Sequence, residues 1–92
     1  MDEALVICSL DLVRRPYFSY NLNLQSNQEF DPALVEHFFR SLAFSMPMTL
    51  HVYQLNGKDP HHIAEAAFKA LGLSLKQAVE PSQKSMSVKG SL

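Results

Sequence analysis

The chain has 92 residues, of which 47% are hydrophobic and 18% are charged, and its formal net charge is −1. A chain of this length holds one domain, and its nearly balanced charge offers no electrostatic attraction for nucleic acid. No apolar run approaches the ~20 residues of a membrane-spanning helix, and the acidic start lacks a targeting peptide's basic region, which predicts a cytoplasmic protein with no membrane partner.

Two strands are predicted near the start of the chain. Apolar side chains alternate through residues 4–12, which predicts a half-buried strand. Alternation over residues 17–24, after Arg15-Pro16, predicts a second strand that pairs with the first as a hairpin or meander. The inward-facing side chains are expected to be Val6, Cys8, Leu10 and Leu12 in the first strand and Phe18, Tyr20, Leu22 and Leu24 in the second.

A first helix is predicted to begin at Asp31-Pro32, because aspartate is a good N-cap and proline fits the first helical position. The helix should stop before Pro47. His37 lies off the apolar stripe of this helix, so an ordinary solvated histidine is the alternative to a functional role. The expected core stripe consists of Leu34, Val35, Phe38 and Leu42.

A third strand is predicted over residues 48–55, with His51 in a structural position on its half-exposed face. The second helix is predicted over residues 60–79, with its core stripe at Ile63, Ala67, Leu71 and Leu75. Residues 82–92 are rich in Ser and Lys without periodicity, which predicts a mobile end.

The start of the second helix carries the residues best suited to chemistry. On a helix His61, Glu65 and Lys69 are four residues apart and form one stripe, while His62 points elsewhere. Imidazole and carboxylate groups suit a divalent manganese, iron or zinc ion, and two divergent histidines could serve two ions. The alternative is a pair of surface histidines beside an ordinary i,i+4 Glu–Lys ion pair.

Longer runs of the sequence, in order and over nearly the whole chain, resemble imidazoleglycerol-phosphate dehydratase. The runs that carry the resemblance are residues 2–5, 15–17, 30–31, 35–43, 49–51, 61–71, 77–81 and 87–90. They match the second half of that enzyme, which consists of two similar β/α repeats, each with its own His-His motif. Residues 1–92 are therefore interpreted as a single domain, a C-terminal fragment without the first repeat. The fold that the resemblance implies is α+β, in which two helices cover one face of a sheet of three to four strands.

The resemblance implies a lyase of histidine biosynthesis that dehydrates imidazole glycerol phosphate to imidazole acetol phosphate, with two manganese ions per site. It implies a homo-oligomer of 24 subunits with metal sites between subunits. The catalytic residues it implies are Glu65 and His61, and the metal ligands are His37, His61, His62 and Glu65. The implied substrate-binding residues are Arg15, His61, His62, Glu65, Lys69, Ser87 and Lys89, of which Arg15, Lys69, Ser87 and Lys89 match phosphate-binding positions.

Some positions depart from the family pattern. Arg14 stands where glycine is usual, and Val88 stands where Ser or Thr is usual in the phosphate-binding loop. Since ligands from both repeats complete the family's site, the chain by itself is expected to be inactive. The alternative function is a noncatalytic truncated fragment that folds or self-associates.

Overall fold

Four strands and two helices follow one another in the computed structural model, which describes residues 3–25, 31–80 and 85–91, the last range by its backbone alone. In chain order the elements are β1 (Leu5–Leu12), β2 (Tyr17–Asn21), α1 (Pro32–Ser45), β3 (Met48–Asn56), α2 (Pro60–Ala78) and β4 (Ser85–Ser91). The predicted α+β class is confirmed. Neither α1 nor α2 combines the length and apolarity that crossing a membrane requires.

The four strands form one mixed sheet in the order β2-β3-β1-β4. Strand β1 is antiparallel to both β3 and β4, whereas β2 is parallel to β3. The predicted hairpin of β1 and β2 is therefore wrong. Leu50 of β3 lies between Leu10 of β1 and Phe18 of β2, and α1 supplies the crossover that parallel neighbours such as β2 and β3 need.

Strand β4 corrects the prediction of a mobile end. Its backbone pairs with β1 from Asp11 opposite Ser85 to Leu5 opposite Ser91. Without β4, the edge of β1 would carry unpaired N–H and C=O groups, and β4 forms hydrogen bonds with them. The composition of the segment gives no sign of this pairing, because the partner strand lies far away in the sequence. The rest of the predicted mobile end, residues 82–84 and 92, lies outside the described residues.

The core lies between one face of the sheet and both helices, as predicted. The side chains that β1 and β3 contribute are each at most 1% exposed: Val6, Cys8, Leu10, Met48, Leu50 and Val52. Helix α2 contributes Ile63, Ala66, Ala67, Ala70 and Leu71, all buried. The short side chains of the alanines allow α2 to pack closely on the sheet. This packing removes the apolar surface of the helix from contact with water, which stabilises the fold. Leu12, predicted to face inward, is 36% exposed at the end of β1.

Helix α1 ends at Ser45, before Pro47 as predicted, but its core face is rotated by one residue from the predicted stripe. Leu34 is 66% exposed and Phe38 47% exposed. Phe39 is fully buried instead, with its ring centroid 5.0 Å from that of Phe68. The buried residues of α1 are Val35, Phe39 and Ala43. Adjacent phenylalanines satisfy the helical period equally well, and the rings of both lie close to that of Phe68, so the packing of α1 against β2 and β3 decides which one is buried.

The opposite face of the sheet is half-exposed and carries His51, as predicted. His51 lies between Ser9 of β1 and Ser19 of β2 in the strand register. The Tyr53 hydroxyl lies 3.3 Å from His51 Nδ1 and shares a hydrogen bond with Ser19 Oγ. These contacts support a structural place for His51 in the sheet.

Candidate metal centre

The first turn of α2 is built by a capping residue and a proline. Asp59 has extended backbone angles, and its Oδ1 accepts a hydrogen bond of 2.8 Å from the backbone N–H of His61. Pro60 occupies the first helical position, where its missing N–H leaves no donor unsatisfied. This start places His61 and His62 in the opening turn of the helix, as the sequence predicts.

The turn that leads into α2 requires glycine. Gly57 has φ +151°, a conformation that L side chains rarely adopt. A Cβ at this position would lie 2.6 Å from Ile63 Cγ1, far inside normal van der Waals contact. The backbone of the turn therefore packs directly on the buried Ile63 and fixes where the two histidines begin.

His61 and Glu65 form the first pair of candidate ligands. The Nε2 atom of His61 lies 3.3 Å from Glu65 Oε2, across one helical turn, and both side chains are about half-exposed. They line a groove of about 360 Å³ between α1 and α2 together with Val35, Ala64 and Phe68. The pair therefore places one imidazole nitrogen and one carboxylate oxygen beside an apolar groove. Lys69 continues the same helical stripe one turn further on and is exposed.

His62 points in another direction, as predicted from its position on the helix. The planes of the two imidazoles are inclined by 72° and their centroids are 6.5 Å apart. The Nδ1 atom of His62 lies 2.9 Å from Glu3 Oε1, and its Nε2 lies 3.8 Å from Asp59 Oδ2. The two adjacent histidines thus belong to two separate acid–imidazole pairs.

Glu3 is a member of this site that sequence reasoning missed. Its Oε2 accepts hydrogen bonds from the backbone N–H groups of Lys58 and Asp59, at 2.8 and 2.9 Å. These donors, with the Asp59 N–H the strongest influence and the His62 side chain the next, hold the pKa of Glu3 at about 2, so its carboxylate is ionised at neutral pH. No local pattern could identify it, because its partners lie more than fifty residues further along the chain.

His37 lies apart from both pairs. It is exposed on α1, where its Nε2 is 3.4 Å from Ser41 Oγ, and it lines a second shallow pocket with Ala33, Glu36 and Arg40. Within the described ranges, no three His, Cys, Asp or Glu side chains are grouped closely enough to hold a metal ion. The donors present suit manganese, iron or zinc in chemical type. One copy of the chain supplies them in pairs, so a complete coordination shell needs further donors.

The four predicted phosphate-binding residues are spread over different elements. Arg15 is exposed in the bend after β1, Lys69 lies on α2, and in β4 Ser87 pairs with Ser9 and Lys89 pairs with Ile7. Glu3 lies two residues before β1, and Arg15 lies three residues after its end. Eight strand residues at ~3.3 Å each separate the two by about 26 Å, so one chain does not bring Arg15 beside the His62–Glu3 pair.

The sequence of this chain is similar to those of known proteins. The family model described as Imidazoleglycerol-phosphate dehydratase matches residues 1–75. The chain is 51% identical over 82 residues to the chloroplastic imidazoleglycerol-phosphate dehydratase 1 of Arabidopsis thaliana, covering 87% of this chain and 30% of that protein. It is 46% identical over 97 residues to the enzyme of the same name from Clostridium botulinum, covering all of this chain and 50% of that protein.

Two solved structures share the fold. The imidazoleglycerol-phosphate dehydratase of Pyrococcus furiosus, in complex with (S)-C348, superposes with a TM-score of 0.76 at 43% identity, over 83% of this chain and 44% of that one. The Staphylococcus aureus enzyme gives a TM-score of 0.73 at 40% identity, over 77% of this chain and 42% of that one. The chain thus spans half or less of the length of these relatives.

Proposed function

This chain belongs to the imidazoleglycerol-phosphate dehydratase family, and we propose that it forms part of a hydro-lyase of histidine biosynthesis. The reaction removes water from imidazole glycerol phosphate and gives imidazole acetol phosphate. The observation that carries the proposal is the His61–Glu65 pair beside an apolar groove, in the region that the family model matches. Because the described residues of one copy assemble no group of three metal-binding side chains, we infer that the complete site takes residues from elsewhere.

The proposed cofactor is manganese, two ions in each complete site, with His37, His61, His62 and Glu65 as ligands from this chain. Their imidazole nitrogens and carboxylate oxygens fit such an ion in donor type. Bound metal supplies stabilisation of the negative charge that develops when hydrogen leaves an unactivated carbon. The two acid–imidazole pairs, which face different directions, support a role in two ion sites rather than one.

Glu65 and His61 are the proposed catalytic residues. Dehydration needs a base that accepts the proton from carbon and an acid that protonates the departing hydroxyl. A carboxylate has two oxygens and an imidazole two nitrogens, so each group could hold an ion through one atom and exchange a proton through the other. The Val35, Ala64 and Phe68 side chains give the neighbouring groove an apolar wall. Such a wall would exclude water from one side of an imidazole ring held there.

The substrate phosphate is proposed to bind Arg15, Lys69, Ser87 and Lys89, because cationic groups and a hydroxyl are suitable partners for a phosphate dianion. Arg15 lies at the far end of β1 from the His62–Glu3 pair, which supports a site shared between copies of the chain. This separation is the reason why we propose that the chain forms a homo-oligomer. The family resemblance implies 24 subunits for that oligomer. A cytoplasmic location remains a proposal as well.

A chimaera provides the test of the proposed function. This chain replaces the half of the Clostridium botulinum relative that it matches, in an alignment that covers all of this chain and 50% of that protein. The purified chimaera is supplied with manganese and imidazole glycerol phosphate and assayed for imidazole acetol phosphate. We expect turnover. A folded, manganese-loaded chimaera without turnover would instead favour the noncatalytic alternative.

Glu65, within α2, and Glu80, two residues after its end, provide a test variant and a matched control. Glu65→Ala in the chimaera should lose bound manganese and activity together, because the carboxylate paired with His61 is removed. Glu80→Ala removes an exposed carboxylate beyond the helix end and should change neither. If Glu65→Ala retained both manganese and activity, the assignment of Glu65 would be wrong.

A further inference from the structure

Glu3 joins three parts of the fold at the candidate metal centre. Its backbone carbonyl accepts a hydrogen bond of 3.0 Å from Asn56 Nδ2, at the end of β3. One carboxylate oxygen, Oε2, receives two backbone N–H groups at the start of α2, and the other, Oε1, lies 2.9 Å from His62 Nδ1. The Glu3 and His62 side chains are only 28% and 24% exposed, so this contact is partly shielded from water.

The chemistry of the two groups determines the direction of the hydrogen bond. An ionised carboxylate only accepts hydrogen bonds, so the Nδ1 atom of His62 must carry the proton and donate it. In a neutral imidazole the other nitrogen, Nε2, then carries the lone pair. Histidines that bind metals commonly donate their second ring N–H to a carboxylate in this way, which fixes the tautomer and the ring orientation.

We propose that Glu3 is the positioning residue of the centre, holding His62 as its Nδ1–H tautomer so that Nε2 is the nitrogen presented to a metal ion. Glu3 itself is not a ligand in this arrangement. Its two backbone contacts at Lys58 and Asp59 fix the carboxylate relative to α2, so the imidazole is oriented before any ion arrives. Only the choice of His62 as a ligand rests on the proposed function; the tautomer is inferred from the 2.9 Å contact of Nδ1 with the Glu3 carboxylate, since Asp59 Oδ2 lies 3.8 Å from Nε2, beyond hydrogen-bond distance.

Glu3→Gln tests the tautomer directly, because the amide has one accepting oxygen and one donating nitrogen. The oxygen is required by the two backbone N–H groups that Oε2 now serves, which turns the NH₂ group toward His62. The amide then donates to Nδ1, and His62 must adopt the Nε2–H tautomer. Long-range proton–nitrogen NMR of the metal-free chain, at alkaline pH where imidazoles are neutral, distinguishes the two forms. A His62→Gln spectrum assigns the signals.

We expect the Nδ1–H form in the unchanged chain and the Nε2–H form in Glu3→Gln, whose urea midpoint should fall by less than that of Glu3→Ala because the amide keeps one accepting oxygen for the two backbone N–H groups. Glu80→Gln, a carboxylate-to-amide change away from the centre, should leave the His62 spectrum unaltered. Glu3→Ala should lose both the fixed tautomer and part of the stability. An Nε2–H tautomer in the unchanged chain, or an Nδ1–H tautomer retained in Glu3→Gln, overturns the proposal, because a merely structural Glu3 would leave the imidazole as it was.

Manganese affinity provides the second readout, in the chimaera described above. Loss of a carboxylate that orients a metal-binding histidine typically lowers metal affinity about 10–100-fold, and we expect a decrease of this size for Glu3→Gln. Unchanged affinity in Glu3→Gln contradicts the positioning role. If the unaltered chimaera binds no manganese while the tautomer inverts as expected, the proposed function fails and the role of Glu3 in orienting His62 stands.

Discussion

At the scale of single residues, two glycines occupy opposite environments. Gly57 has φ +151° and no room for a Cβ, whereas a Cβ at Gly72, on the exposed side of α2, would meet no atom within 4 Å. Gly57→Ala should therefore lower the free energy of unfolding by about 1–3 kcal/mol. Gly72→Ala should raise it by about 0.4–1 kcal/mol, because alanine restricts the unfolded chain and favours the helix.

Urea unfolding of the two variants and the unchanged chain measures both effects. Each variant adds the same single methyl group, so each is the control for the other. Equal effects of the two substitutions would show that the Gly57 turn does not pack on Ile63 in solution as it does in the structure.

The thiol of Cys8 provides a second prediction at this scale. Burial raises the pKa of Cys8 from its ordinary 9.0 to about 11, with a smaller opposing influence from the Ser74 hydroxyl. The unfolded chain releases this proton at lower pH than the folded chain does. The contribution to stability is therefore fully present below about pH 9 and is lost as the pH rises toward 11.

The measurement is the urea midpoint over this pH range, with Cys8→Ala as the comparison. The alanine variant should lose stability less steeply between pH 9 and 11. Tyr20, whose pKa burial raises to about 12, keeps its own alkaline dependence in both proteins. Identical slopes for the two proteins would contradict the burial of the thiol.

At the scale of elements, the orientation of α1 can be tested with its adjacent phenylalanines. Phe39 is fully buried against Phe68, whereas Phe38 is 47% exposed. Phe39→Ala should lower the free energy of unfolding by about 3–5 kcal/mol, the usual cost of deleting a buried aromatic ring. Phe38→Ala should have a much smaller effect, because half of its surface is already in water.

Thermal and urea unfolding distinguish these outcomes, and Phe39→Leu serves where the alanine variant does not fold. The leucine variant leaves a smaller cavity and should lose less stability than Phe39→Ala but more than Phe38→Leu. A larger loss of stability from substitution of Phe38 than of Phe39 would support the core stripe predicted from the sequence. It would contradict the orientation of α1 in the structure.

At the scale of the whole molecule, the proposed separation of metal and phosphate binding leads to a prediction for the chimaera. Arg15→Ala and Lys89→Ala should each raise the KM for imidazole glycerol phosphate and leave manganese content unchanged, because the proposed phosphate-binding side chains are not among the proposed metal ligands. Lys76→Ala, near the end of α2, is the control and should change neither. A fall in manganese content in step with substrate affinity would contradict two separate roles.

The chain by itself should have no dehydratase activity. Of the candidate ligands only His61 and Glu65 lie together, and no group of three is assembled among the described residues. An incomplete shell leaves the imidazole of the substrate loosely oriented, and a misplacement of about 1 Å can lower the rate a hundredfold. The assay uses the purified chain with manganese and imidazole glycerol phosphate. Turnover comparable to that of the chimaera would show that copies of this chain complete the site among themselves.

The sequence by itself determined the local features of this protein. Asp31 and Asp59 cap the two helices as predicted, because a cap depends on neighbours two or three residues away. The alternation of apolar and polar residues identified the inner faces of β1 and β3. This feature is also local, because side-chain direction in a strand repeats every two residues. The divergence of His61 and His62 follows from helical geometry alone. The family could be recognised from the order of its motifs.

The tertiary structure alone decided which of these elements meet. Strand β3 lies between β1 and β2, β4 pairs with β1, and Phe39 replaces Phe38 in the core. Glu3 was missed for the same physical reason. Its contact with His62 joins residues 59 positions apart, and contacts at such separation depend on how the sheet assembles rather than on any period along the chain.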